Sequence, residues 1–161
     1  MKSWFIWTRR PVRWIRDLLI VLFLISGGEV WGQGCTVSTI PVQFGQYAAI
    51  DSSPVDAVGN VRVACTSGTA FTVKLGPGEN SGSGFHPRKL RSTASAETMD
   101  YNLYRDSAHG EVWGDGTGNS FVRAEVGMGA EQLFHVYGRI PGGQKIGVGY
   151  YRDSLTVTVD W

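Results

Sequence analysis

Residues 150–161, Tyr-Tyr-Arg-Asp-Ser-Leu-Thr-Val-Thr-Val-Asp-Trp, constrain the fold more than any other stretch of the chain. Leu155, Val157, Val159 and Trp161 alternate with Thr156, Thr158 and Asp160. A period of two in β-branched and aromatic residues is the pattern of a half-buried strand. The sequence stops on the apolar face of that strand, without a closing turn. A chain end frays unless something ties it down. The expectation is therefore a strand interior to a sheet, whose far neighbour comes from outside the rest of this chain.

The other end of the sequence reads as a processing segment. Lys2, Arg9, Arg10, Arg13 and Arg16 precede an unbroken apolar run, Leu18 to Ile25, and small residues follow at Ser26, Gly27, Gly28 and Gly32. A basic start, a short apolar run and a small-residue site make a secretory signal peptide, expected over residues 1–32. The apolar run falls short of the roughly 20 residues that span a bilayer, although an uncleaved anchor is the alternative reading. Arg9-Arg10 is a weak twin-arginine signal. Cys35 lacks the preceding aliphatic residue of a lipoprotein site.

With 161 residues in all, the remainder, 33–161, suffices for one domain. Without the leader, ten Lys/Arg stand against twelve Asp/Glu, and no concentrated basic patch points to nucleic acid. The two cysteines, Cys35 and Cys65, read as one disulfide in an exported protein. It closes a loop of about 30 residues, worth roughly 3–4 kcal/mol by chain entropy. His86, His109 and His135 are scattered and show no metal-site spacing.

Short alternating runs fill the chain between. Cys35 opens a first strand, and Val42 and Phe44 alternate before a break near Gly45. Val61, Val63 and Cys65 share one strand face, as do Phe71, Val73 and Leu75, and Met99, Tyr101 and Leu103. Residues 121–126 and 133–140 read as two more strands, with His135 facing away from Phe134 and Val136. Turns are expected at Asp51–Pro54, Thr66–Thr69, Trp113–Asn119 and Pro141–Gln144. Residues 76–84 hold four glycines and a proline and form a loop, without the Gly-Lys-Ser/Thr ending of a phosphate cradle. About seven or eight strands with no convincing helix point to an all-β sandwich.

Catalytic signals are sparse. Asp100, Asp106, Asp115 and Asp153 could supply a carboxylate pair for glycoside hydrolysis, but each also reads as a turn or cap residue. No Gly-x-Ser-x-Gly elbow and no cofactor motif is present, so the expectation is a non-enzyme. The tyrosines read as packing residues with a polar tip, and exposed ones suit a sugar-binding surface.

The motifs Cys35-Thr-Val, Phe44-Gly-x-Tyr47, Val61-x-Val63-x-Cys65, Tyr101-Asn-Leu-Tyr104-x-Asp106, Trp113-Gly-Asp-Gly116, Tyr137-Gly-Arg-Ile140 and Tyr151-x-Asp153-Ser-Leu-Thr-Val-Thr-Val159 occur in this order. Together they resemble the spore coat U domain, which is shared with subunits of archaic chaperone–usher pili. The resemblance covers nearly all of residues 35–161. It implies an incomplete immunoglobulin-like sandwich, completed by a strand that another protein donates. The implied partners are a periplasmic pilus chaperone, an outer-membrane usher and neighbouring pilus subunits, on the surface of a Gram-negative bacterium. The implied acceptor and chaperone-contact residues are Leu155, Val157, Val159 and Trp161. One feature departs from the polymerising subunits. If cleavage follows Gly32, only Gln33 and Gly34 precede Cys35, so no donor extension is evident. That favours a tip-like or terminal subunit, or a coat protein. A self-contained secreted carbohydrate- or protein-binding sandwich is the alternative.

Overall fold

The computed structural model describes residues 34–161; the expected leader lies outside the described residues. Nine strands form two sheets, with no helix among the described residues. One sheet has the order β1-β2-β7-β5-β4-β8. Its strands are β1 (Cys35–Ile40), β2 (Val55–Cys65), β7 (Glu131–Ile140), β5 (Thr98–Tyr104), β4 (Arg88–Ser92) and β8 (Tyr151–Arg152). The other has the order β6-β3-β9, from β6 (Arg123–Val126), β3 (Ala70–Leu75) and β9 (Val157–Asp160). All the pairings are antiparallel.

The period-two faces meet in the core. Val61, Val63 and Cys65 of β2, Phe71, Val73 and Leu75 of β3, Met99, Tyr101 and Leu103 of β5, and Phe134 and Val136 of β7 are all buried there. His135 points the other way, with Nδ1 2.8 Å from Asn60 Oδ1. Cys35 lies opposite Cys65 in the β1–β2 register, and their sulfurs are bonded at 2.02 Å. The disulfide therefore staples the first strand to its neighbour β2.

Several local expectations need correction. Residues 150–161 are not one strand. Tyr151–Arg152 pairs with β4 in one sheet, the chain crosses over at Asp153–Thr156, and Val157–Asp160 pairs with β3 in the other. Asp153 sets this crossing: its carboxylate accepts from Tyr101 Oη (2.7 Å), Glu79 N (3.0 Å) and Asn80 Nδ2 (2.8 Å). Gly78, at φ +93°, passes so close that a Cβ would meet this carboxylate. Within this chain β9 is the edge of its sheet, with its far side open. Val42–Tyr47 keeps its alternation of half-buried and exposed residues but belongs to no strand. Finally, Trp113, which reads as a turn residue, is fully buried, and its Nε1 donates to Val73 O at 3.1 Å.

Candidate functional site

Two sheets with open edges leave four edge strands, and an unpaired edge is a template for foreign backbone unless it is blunted. Two edges here are blunted. β8 is only two residues long. On β6, Arg123 and Glu125 lie opposite Val73 and Phe71, so both charges point to the inner face, with the Arg123 guanidinium over the Phe134 ring. Inward-pointing charge of this kind discourages strand addition.

The other two edges lack these devices. β1, Cys-Thr-Val-Ser-Thr-Ile, carries no charge. β9 carries one, Asp160, which is held by Lys74 at 2.6 Å. Val37 lies opposite Val63 and shares its face, yet Val37 is 48% exposed where Val63 is 0%. Val157 and Val159 lie opposite Leu75 and Val73 and are only half-buried, whereas those partners are fully buried. The inner faces of β1 and β9 are thus uncovered, and no hydrogen-bonded ladder joins the two strands among the described residues.

Between the sheets on this side runs a groove of about 1360 Å³. Leu75, Leu90, Met99, Leu103, Val136 and Ile140 line it from the core. One lip is the stretch after β1, which packs Val42, Phe44 and Tyr47 against the core. Phe44 stacks edge-on against Tyr101, with ring centroids 5.9 Å apart. Val42 and Phe44 sit over Gly138, where a Cβ would lie 2.7–2.9 Å from their side chains. The other lip carries Ile146, Leu155 and Val157.

The residues that the resemblance singled out are placed unequally. Leu155 and Val157 line the groove, and Val159 packs half-buried against the core. Trp161 is 60% exposed and borders a shallow depression with Ala70, Phe71 and Val126 instead. The lip residues Phe44, Tyr47 and Ile146 were missed as groove residues, although the Val42–Tyr47 alternation could have signalled them.

The groove is apolar and holds no obvious acid–base pair. The four aspartates considered for hydrolysis are each engaged locally. Asp100 meets Lys89 Nζ at 2.6 Å, and Asp153 holds the sheet crossing. Asp106 accepts from the backbone N–H of Gly110 and Glu111. Asp115 accepts from Thr117 Oγ1 and N, which hold its carboxyl below the usual range. Burial, then the neighbouring Asp153 carboxylate, pushes the Tyr101 phenol up, so it remains a protonated donor.

Two unblunted, uncovered edges flanking an apolar groove define an all-β sandwich with a gap in its wall. The chain belongs to the Spore Coat Protein U domain family, whose model matches residues 21–158 and so begins inside the segment read as leader. It is 32% identical over 146 residues to Protein U of Myxococcus xanthus, covering 84% of this chain and 78% of that protein. Among solved structures it is similar to the chaperone–tip adhesion subunit pre-assembly complex CsuC–CsuE from archaic chaperone-usher Csu pili of Acinetobacter baumannii. That match has a TM-score of 0.55 and 19% identity, and it covers 80% of this chain. The chain spans only 40% of the length of that matched structure. A looser likeness, with a TM-score of 0.42 and 13% identity, is to the Escherichia coli Hda pilus minor tip subunit HdaB, over 77% of this chain and 79% of that one. The likeness to CsuC–CsuE shows the fold, an immunoglobulin-like sandwich of the kind the sequence motifs imply.

Proposed function

We propose that the chain is a structural surface subunit whose groove accepts a strand from another protein. The observation that carries this reading is the asymmetry of the edges: β6 and β8 are blunted, whereas β1 and β9 face each other across an apolar gap. A strand laid there gains main-chain hydrogen bonds from two edges and buries alternate side chains on the floor. In this reading a periplasmic chaperone fills the gap first. A neighbouring subunit then replaces it at an outer-membrane usher, and the product is displayed on the cell surface as pilus or coat. Residues 1–32 serve as export signal, and 33–161 as the strand-accepting domain. Leu155, Val157 and Val159 form the terminal-strand side of the acceptor, with Trp161 at its outer end. With cleavage after Gly32, no alternating apolar segment precedes Cys35, which supports a tip-like or terminal place, or a coat protein, within this reading. The role is assembly and adhesion rather than catalysis.

Thermal unfolding of the oxidised, processed chain, alone and with peptides of alternating apolar pattern, tests the reading. The expected result is a low or aggregating transition alone. A matching peptide at a hundredfold its Kd adds about 2.7 kcal/mol, a rise in Tm of roughly 10 °C. A high cooperative transition that no such peptide shifts would sink the reading.

A further inference from the structure

The groove has unlike ends. At one end the two walls are free of each other: among the described residues β1 pairs only with β2, and β9 only with β3. At the other end, where β7 stops at Ile140, they are tied together. Tyr47 Oη, on the first lip, donates to Pro141 O at 3.1 Å and accepts from Gln144 N at 2.8 Å. Gly143 N donates to Asp51 O at 2.7 Å, a second tie between the same two segments. The turn they hold leads directly into Ile146, where the second wall begins.

That turn is in turn fixed to the sheet. The Gln144 carboxamide takes the place of a strand beside Asp100 of β5: Oε1 accepts from Asp100 N at 2.7 Å, and Nε2 donates to Asp100 O at 2.8 Å. Just beyond, the Glu97 carboxylate accepts from Gly147 N (2.9 Å) and from Tyr151 Oη. The wall at this end is therefore anchored at three successive points, Gln144, Gly147 and Tyr151, whereas nothing of the kind joins β1 to β9 among the described residues.

We propose that Tyr47 and Gln144 are specificity-determining residues of the groove: they form an end stop that limits the length of an incoming strand and fixes its register. This rests on the strand-acceptor reading above. The occupant is an extended peptide segment with alternate apolar side chains. The run from Leu155 to Trp161 sets its length at about seven residues, roughly 20 Å of strand. One end of that segment abuts the Tyr47–Gln144 tie, and the other leaves freely past the level of Cys35 and Trp161. A one-residue slip would turn every apolar side chain away from the floor, so a fixed stop selects one register out of several.

The test is a set of alternating apolar peptides of about seven residues, each also lengthened by about four residues at its N-terminal or its C-terminal end. Binding to the oxidised chain, purified after export, is followed by fluorescence anisotropy. The expected result is asymmetry. Lengthening at one end leaves Kd within about twofold, and lengthening at the other weakens binding about tenfold, the equivalent of about 1.4 kcal/mol. Tyr47→Phe, which removes both phenol hydrogen bonds, is expected to erase the asymmetry while leaving the short peptide bound. A merely structural tyrosine would weaken all peptides alike. Gln144→Ala loosens the same turn from the β5 side and serves as the second variant should Tyr47→Phe fold poorly. Equal tolerance of both extensions, or asymmetry that survives both substitutions, overturns the end stop and leaves the acceptor reading standing. If no peptide of any length binds, both fall together.

Discussion

The Nη1 of Arg88 lies 2.8 Å from the Oδ1 of Asn102, and both side chains are buried. Arg88 has 0% exposure, and among the described residues its hydrogen-bond partners are all neutral. Its guanidinium donates to Gly76 O through Nε and Nη2 and to Trp113 O through Nη2, and it lies over the Phe85 ring. Asn102 in turn donates to Phe85 O at 2.8 Å. One cation thus gathers the loop before β4, the Trp113 segment and β5. Burial pulls its pKa down to about 10, so it remains charged at neutral pH.

Removing this side chain strands several buried acceptors. Arg88→Met is expected to cost about 3 kcal/mol or more in urea unfolding, because hydrogen bonds to a charged group are worth about 1.5–3 kcal/mol each. Arg88→Lys is expected to recover only part of it, since an ammonium cannot reproduce the planar fork. A loss under about 1 kcal/mol for Arg88→Met would show that these contacts hold the loop only weakly.

Gly138 is a packing glycine with no positive φ. Its inner face receives Val42 and Phe44, which would lie 2.7–2.9 Å from an added Cβ. Gly138→Val is expected to lift the first lip from the sheet and destabilise the fold by about 1–3 kcal/mol. The same variant should weaken binding of any peptide that enters the groove. Unchanged stability together with unchanged amide exchange in residues 42–47 would contradict this placement.

The chain is expected to lose stability in acid. The Arg139 hydrogen bond and charge hold Asp56 below its ordinary range, despite partial burial. Tyr151 Oη and Gly147 N do the same for Glu97, and Thr117 does it for Asp115. A carboxyl with a lowered folded pKa contributes stability that is complete above its unfolded pKa, about 4, and disappears as pH falls through the folded value. The Tm should therefore hold nearly level from pH 7 to about 5 and fall below about 4. Glu97→Gln should shallow that fall. A Tm that rises on acidification would show the opposite linkage.

Much of the sandwich was legible because period-two alternation records which side chains meet the core. Phe71, Val73 and Leu75 declare an inner face whatever strand lies beside them. Pairing partners are less legible, because ladder hydrogen bonds are made by backbone and leave little trace in residue type. Val42, Phe44 and Tyr47 alternate like a strand because they face the core, yet no strand is beside them. The break in 150–161 was hidden for a related reason. It depends on Asp153 meeting Tyr101, Glu79 and Asn80, all more than 50 residues away in sequence. Trp113 reaches the interior from a segment whose local pattern speaks of a turn, and Arg88 from the first position of a strand rich in charge. The groove itself was visible only through the motif resemblance, since a gap is a property of two edges at once.

The blunted edges at β6 and β8 bear on stoichiometry. Of the four margins, only the pair facing each other across the gap invites foreign backbone, and one inserted segment satisfies both. Under the strand-acceptor proposal, in the language of polymer chemistry, the molecule is a monofunctional acceptor. Joining through this gap would then be end to end, since a branch point would require a further open margin and the described sheets offer none.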